Sequence, residues 1–210
     1  MDIYRATIIV ALVIGIIRYK FFSKELKILF FFVAFGFLTE AFTMVFKALV
    51  MRNTMPVGNL YIPVSVFIIG LFYLKLLGGY VNRKIIIIVI SAYEIICLLN
   101  LLFVQNILEF PNIIGSVGAL IIIVFSLFLF SKIMVEAKIE KLSAEPVIWI
   151  NSALLIYYAA NFFFYILLNY NVKLDNEFAR QTVDVYRVIN ILFYFLLSIG
   201  FWLAKKRKYA

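Results

Sequence analysis

The chain has 210 residues, of which 66% are hydrophobic and 18% aromatic; its net charge is +9 and its mean hydropathy +1.07. A soluble domain of this size cannot cover so much apolar surface, so a water-soluble globular protein is excluded and an all-α polytopic membrane protein is expected. With no His, a single Cys97, and no Gly-rich phosphate loop or Ser-x-x-Lys pattern, no enzyme activity, metal site or cofactor is expected.

Runs long enough to cross ~30 Å of hydrocarbon as helix, roughly 17 to 25 residues, fall at about 3–22, 28–46, 60–77, 85–104, 113–130, 147–168 and 188–204. They predict one domain, a bundle of seven transmembrane helices. In the first run only 6–17 is uninterrupted, so it spans only if Arg5 snorkels to one interface and Arg18 and Lys20 to the other. No small-x-small cleavage site follows it, so it is read as a retained helix rather than a signal peptide. A six-helix chain with an interfacial first segment is the alternative.

The second run carries Glu40 within Thr39-Glu40-Ala41-Phe42-Thr43. The third opens on Asn59-Leu60-Tyr61-Ile62-Pro63, which predicts Pro63 in the first turn or two, where its fixed φ is tolerated. The fourth holds Glu94, Cys97 and Asn100. The fifth opens on Gly115, Ser116, Gly118 and Ala119, a small-residue cluster suited to a close helix contact. It is expected to continue past the membrane, with Glu136 and Glu140 spaced against Lys132, Lys138 and Lys141. The sixth contains Asn151, Tyr157, Tyr158, Asn161 and Tyr165. The seventh is predicted to start early, near 177, because Asp175 and Asn176 suit a helix start and Leu174, Phe178, Thr182 and Val185 recur at helical spacing.

Orientation follows from the basic residues. With alternating helices, fourteen of the twenty Lys and Arg fall on the side of Lys205-Lys206-Arg207-Lys208, and six on the other. The expected topology is N-terminus out and C-terminus cytoplasmic, in a bacterial inner membrane. The bilayer itself, with anionic lipid on its inner leaflet, accounts for the +9 charge, so no nucleic-acid partner is expected.

Within this greasy background the polar groups at depth are the functional candidates. A carboxyl at hydrocarbon depth costs at least ~2.5 kcal/mol on insertion scales, so it is buried in protein, partnered or functional. Glu40 lies thirteen residues past Lys27 and Glu94 ten past Lys84, which places both near the midplane on helices running the same way. Glu40, Glu94, Asn161, Tyr157 and Thr43 are therefore a candidate intramembrane polar site. Asn59, Tyr61, Asn100 and Asn190 are a candidate outer pocket. Two readings stay open for both sets: interhelical hydrogen bonds worth ~0.6 kcal/mol each, or a site used by a sensor or a proton-coupled transporter.

Two family resemblances add expectations. The pair Ile69-Gly70-Leu71-Phe72 with Lys75 and Ile199-Gly200-Phe201-Trp202 with Lys205, together with Phe22-Ser23-Lys24 and Phe130-Ser131-Lys132, resembles the 3+1+3 repeat of SWEET-like transporters. The succession Asn59-Leu60-Tyr61, Pro146-Val147-Ile148-Trp149-Ile150, Leu155-Ile156-Tyr157-Tyr158 and Ile189-Asn190-Ile191-Leu192 resembles small seven-helix membrane proteins of Bacteroidetes-type bacteria that are often associated with sensor histidine kinases. The second resemblance implies a sensory or signal-coupling protein acting through a membrane partner such as a histidine kinase. A small-solute or proton-linked transporter and a structural subunit of a membrane complex are the alternatives.

Overall fold

The computed structural model describes residues 3–49, 53–137, 141–171 and 176–204. Among them the chain is all-α, with seven helices: α1 (Ile3–Arg18), α2 (Lys24–Leu49), α3 (Met55–Leu76), α4 (Arg83–Leu99), α5 (Asn112–Glu136), α6 (Pro146–Asn171) and α7 (Asn176–Trp202). A π turn, Asn100–Val104, continues α4, and short 3-10 turns follow α1 and precede α6. The run of Ile85 to Ile90 would favour a strand in water, yet it is helical here. Without water to solvate the backbone, only a helix satisfies every N–H and C=O within one segment.

Six of the described helices, α2 to α7, are long and apolar enough to cross a membrane. The predicted first span is shorter than expected: α1 has 16 residues, about 24 Å at 1.5 Å per residue. It is nevertheless packed into the bundle against α2 and α7. The third helix starts earlier than expected, at Met55, because Asn53 accepts the Met55 N–H at 2.9 Å and Pro56 sits at the helix start. Pro63 consequently lies inside α3 rather than at its opening, and it removes the hydrogen bond that the Asn59 carbonyl would have accepted. α7 begins at Asn176, as the capping residues predict. α5 ends at Glu136, with Ala137 in the left-handed region at φ 45°; Lys132 and Glu136 lie 3.8 Å apart, and the expected pairs of Lys138 and Glu140 lie outside the described residues.

The helices α1, α2, α3, α5, α6 and α7 pack in that order into a closed ring, while α4 packs on α3 and α5 from outside. One end of the ring is dry. Leu29, Phe72, Leu77, Ile122, Ile150, Leu154 and Phe201 are wholly enclosed there. At the same level Asn151 of α6, also wholly enclosed, accepts the Tyr73 hydroxyl of α3 at 2.9 Å and the Ser126 hydroxyl of α5 at 3.0 Å. Its amide donates back to the Ser126 carbonyl at 3.0 Å. Two cations finish this end: Arg18 donates to the Ala204 carbonyl at 2.7 Å and Lys132 to the carbonyls of Leu76 and Gly78 at 2.6 and 3.2 Å. A cation at the last carbonyls of a helix is where the helix dipole favours it.

The small-residue cluster of α5 makes the close contacts expected of it. A Cβ on Gly115 would stand 2.7 Å from the Tyr165 ring, and one on Gly118 would stand 2.6 Å from the Tyr93 hydroxyl and 2.9 Å from Val66. That hydroxyl donates to the Ile114 carbonyl at 3.0 Å and docks α4 on the ring.

Two stability predictions follow from this packing. Asn151→Leu strands the Tyr73 hydroxyl and removes both side-chain bonds to Ser126, whose hydroxyl keeps only the carbonyl of residue 151 at 3.3 Å; unfolding in detergent should show a loss of about 2 kcal/mol, three interhelical bonds at ~0.6 each, and a loss below about 0.5 would mean the bonds hold nothing together. Gly118→Ala should cost about 1 to 3 kcal/mol by overpacking, and should cost less in a Tyr93→Phe background, where the nearest clashing atom is gone. Equal costs in the two backgrounds would refute the contact.

Candidate functional site

The opposite end of the ring is built differently. Tyrosines from three helices turn toward its interior: Tyr61 from α3, Tyr157, Tyr158 and Tyr165 from α6, Tyr186 and Tyr194 from α7. On α7 the polar residues Tyr186, Asn190, Tyr194 and Ser198 recur every four residues, and on α6 Tyr157, Asn161 and Tyr165 do the same. Four-residue spacing puts each set on one helix face. On α2 Gly36 completes the enclosure, because a Cβ there would stand 3.3 Å from the Tyr194 hydroxyl and 3.5 Å from that of Tyr61. The rings are held by stacking: Tyr61 on Phe35 at 5.5 Å between centroids, Tyr157 on Phe193 at 4.2 Å and Tyr186 on Phe164 at 4.7 Å. The hydroxyls of Tyr157 and Tyr186 are 3.5 Å apart.

Glu40 faces this cluster from α2, and the Arg5 Nε of α1 donates to its Oε1 at 2.8 Å. The side chains of the pair remain 29% and 26% exposed, so the pair sits at the margin of the enclosed interior rather than in its dry part. Arg5, expected to reach toward an interface, stands near the start of α1 with its guanidinium against the Glu40 carboxylate, so each charge meets an opposite one at partly exposed positions.

Tyr61, Tyr157 and Tyr165 are half-buried rather than fully enclosed. One enclosed oxygen at the same level, Asn161 Oδ1, one turn from Tyr157 and Tyr165, has no hydrogen-bond partner among the described residues; Ser65, one turn from Tyr61, turns its hydroxyl toward that of Tyr61. Buried polar atoms are nearly always satisfied, by protein or by water.

The predicted residues thus separate. Glu40, Tyr157 and Asn161 belong to the interior at this end, with Asn161 Nδ2 donating to the Tyr157 carbonyl at 2.7 Å. Thr43 turns its hydroxyl onto its own helix, donating to the Thr39 carbonyl at 2.7 Å. Glu94 does not join Glu40. It lies on α4, outside the ring, with Oε1 enclosed and unpartnered among the described residues and with Tyr93 and Cys97 of its own helix as electrostatic neighbours. Equal depth along parallel helices did not bring the two carboxyls together because α3 stands between their helices.

The candidate outer pocket also divides. Asn59 Nδ2 donates to the carbonyls of Met55, Ile107 and Glu109 at 3.1, 2.9 and 2.9 Å, clamping the 105–111 connection to α3. Asn100 donates to Gln105 at 3.2 Å, and Gln105 in turn donates to Phe110 and Asn112. These two asparagines are loop fasteners. Tyr61 and Asn190 belong to the ring interior, Asn190 donating to the Tyr186 carbonyl at 2.8 Å. Arg5, Gly36 and Tyr194 are additions; the four-residue polar stripe of α7, which runs through Tyr186 and Asn190, is the signal that marks Tyr194.

Comparison of the chain with models of protein families, with characterised proteins and with solved structures returns no match.

The Arg5–Glu40 pair is checked by a double-mutant cycle. Arg5→Ala or Glu40→Ala alone removes one member of this partly exposed ion pair, whereas the double change removes both. Unfolding in detergent should give a coupling of about 1 to 3 kcal/mol, with the double variant no worse than the poorer single one; additive losses would mean that the two side chains do not support each other.

Proposed function

We propose that the chain is a seven-span membrane protein that recognises a small polar solute in a crevice among the tyrosines of α3, α6 and α7 and passes its occupancy to a membrane partner, as a sensory or signal-coupling protein does. The observation that carries this reading is the gathering of half-buried tyrosines around one enclosed oxygen, Asn161 Oδ1, that has no hydrogen-bond partner among the described residues. The topology that goes with it has the N-terminus and the crevice outside and the basic end in the cytoplasm of a bacterial cell. It is supported by the gathering of Arg18, Lys20, Lys24, Lys27, Lys75 and Lys132 at the dry end of the bundle. Dense packing at that end suits a receptor whose ligand enters and leaves on one side. A histidine kinase is the kind of partner proposed.

A second reading, a small-solute or proton-linked transporter, draws on the placement of α4. With α4 outside the ring, the six ring helices fall into two sets of three, α1 to α3 and α5 to α7, the division that a 3+1+3 repeat requires. The third reading is a structural subunit.

Thermal unfolding of the purified chain against a panel of small polar solutes separates them. A true ligand at one hundred times its Kd should stabilise the wild type by about 2.7 kcal/mol. Tyr157→Phe or Asn161→Ala should weaken it about fivefold, the worth of one hydrogen bond near 1 kcal/mol, and proteoliposomes should show no flux of that solute. Flux abolished by the same variants would favour transport, and a panel without any hit, with fully folded variants, would favour the structural role.

A further inference from the structure

A groove runs along the outer, membrane-facing surface between α2 and α3. Its walls are apolar: Ile28 and Phe31 from α2, and Val64, Phe67, Ile68 and Leu71 from α3, with Lys27 at one end. Helical geometry explains why it is continuous. At roughly 100° per residue, positions 64, 67, 68 and 71 lie within about 60° of one line along α3, and positions 28 and 31 do so on α2.

Both lines end in lysine on the same side. On α3 the stripe continues one turn past Leu71 to Lys75, which is exposed; on α2 it continues past Ile28 to Lys27 and Lys24, both exposed. Glu25 lies about a quarter turn or more off that line. Lys27 Nζ stands 5.2 Å over the ring of Tyr19, itself exposed, an arrangement that suits the headgroup level of a membrane. The distances fit a single leaflet. Val64 to Lys75 is eleven residues, about 16 Å of helix, against the ~15 Å of hydrocarbon in half a bilayer.

We propose that this groove is a binding site for one anionic phospholipid, with an acyl chain lying along Ile28, Phe31, Val64, Phe67, Ile68 and Leu71 and the phosphate held between Lys27 and Lys75, with Lys24 beside them. The chemistry is that of basic residues flanking a helix-helix groove at the headgroup level. A zwitterionic lipid fills the same groove but brings a choline or ethanolamine cation that the lysines repel. A bare phosphate ester lacks the chain. The site is independent of the crevice, since it lies outside the ring and makes no use of Glu40 or the tyrosines.

The test uses the full chain, delipidated in detergent and examined by native mass spectrometry with phosphatidylglycerol and phosphatidylcholine of identical acyl chains. The wild type should retain phosphatidylglycerol in preference. Lys27→Gln with Lys75→Gln should lower that affinity roughly thirtyfold, the equivalent of ~1 kcal/mol for each of two lysines near a lipid surface, while leaving phosphatidylcholine unchanged. Leu71→Trp, which fills the groove, should weaken both lipids, and glycerol 1-phosphate should compete with neither. Because both lysines are exposed, their replacement leaves the fold intact, and circular dichroism checks that. Equal retention of the two lipids by the wild type would overturn the proposal. So would an undiminished preference in the double variant, competition by glycerol 1-phosphate, or a dimer that forms through this face and excludes lipid.

Discussion

Asn151 sits where no water reaches and no lipid intrudes, and its amide holds three helices in one register. Its oxygen accepts from Tyr73 and Ser126 and its nitrogen returns a hydrogen bond to the Ser126 carbonyl, so α3, α5 and α6 cannot slide past one another without breaking all three. In a bundle whose outer surface and interior are equally greasy, the hydrophobic effect does not choose the register; shape and interhelical polar contacts do. The dry packing of Leu29, Phe72, Ile122, Ile150 and Phe201 around that level follows from it. The close approach of α4 through Gly118 and Tyr93 is then an addition to a ring already in register.

The other end of the ring obeys the same rule with a different outcome. Arg5 and Glu40 neutralise each other across α1 and α2, and this lets a 16-residue helix lie beside longer ones with a charge near its start. Above the dry core the ring is filled by tyrosines, which are bulky enough to pack by stacking and polar enough to leave hydroxyls facing inward. The consequence is an interior that is enclosed without being saturated, with Asn161 Oδ1 lacking a hydrogen-bond partner among the described residues.

Charge does a third job on the outside of the bundle. The lysines that mark one end of the molecule are not scattered; Lys24, Lys27 and Lys75 terminate the two apolar stripes of a groove about one leaflet deep, and Arg18 and Lys132 instead turn onto helix-terminal carbonyls. The same residue types therefore divide between closing helix ends and facing headgroups, according to whether a free carbonyl or open surface lies within reach.

Class, helix count and the placement of most helices were legible in the sequence, because hydrocarbon thickness dictates helix length and backbone satisfaction dictates helix itself. So was the early start of α7, from its capping residues. The value of Glu40 as a rare polar group was also legible, from cost alone. What the sequence could not decide was pairing. Glu40 and Glu94 have like depth and like direction, yet α3 separates their helices, and no property of a single helix records which neighbour it faces. Asn59 and Asn100 read like pocket residues and serve as loop fasteners, because Asn59 donates to backbone carbonyls, which carry no side-chain signature, and Asn100 donates to the Gln105 side chain of the following connection. Arg5 read only as an interfacial anchor, and its pairing with Glu40 became visible once the ring brought α1 against α2. A one-dimensional pattern determines how deep a group lies and what it costs there; only tertiary packing decides who compensates it, since partners at 2.8 Å in space stand 35 residues apart in the chain.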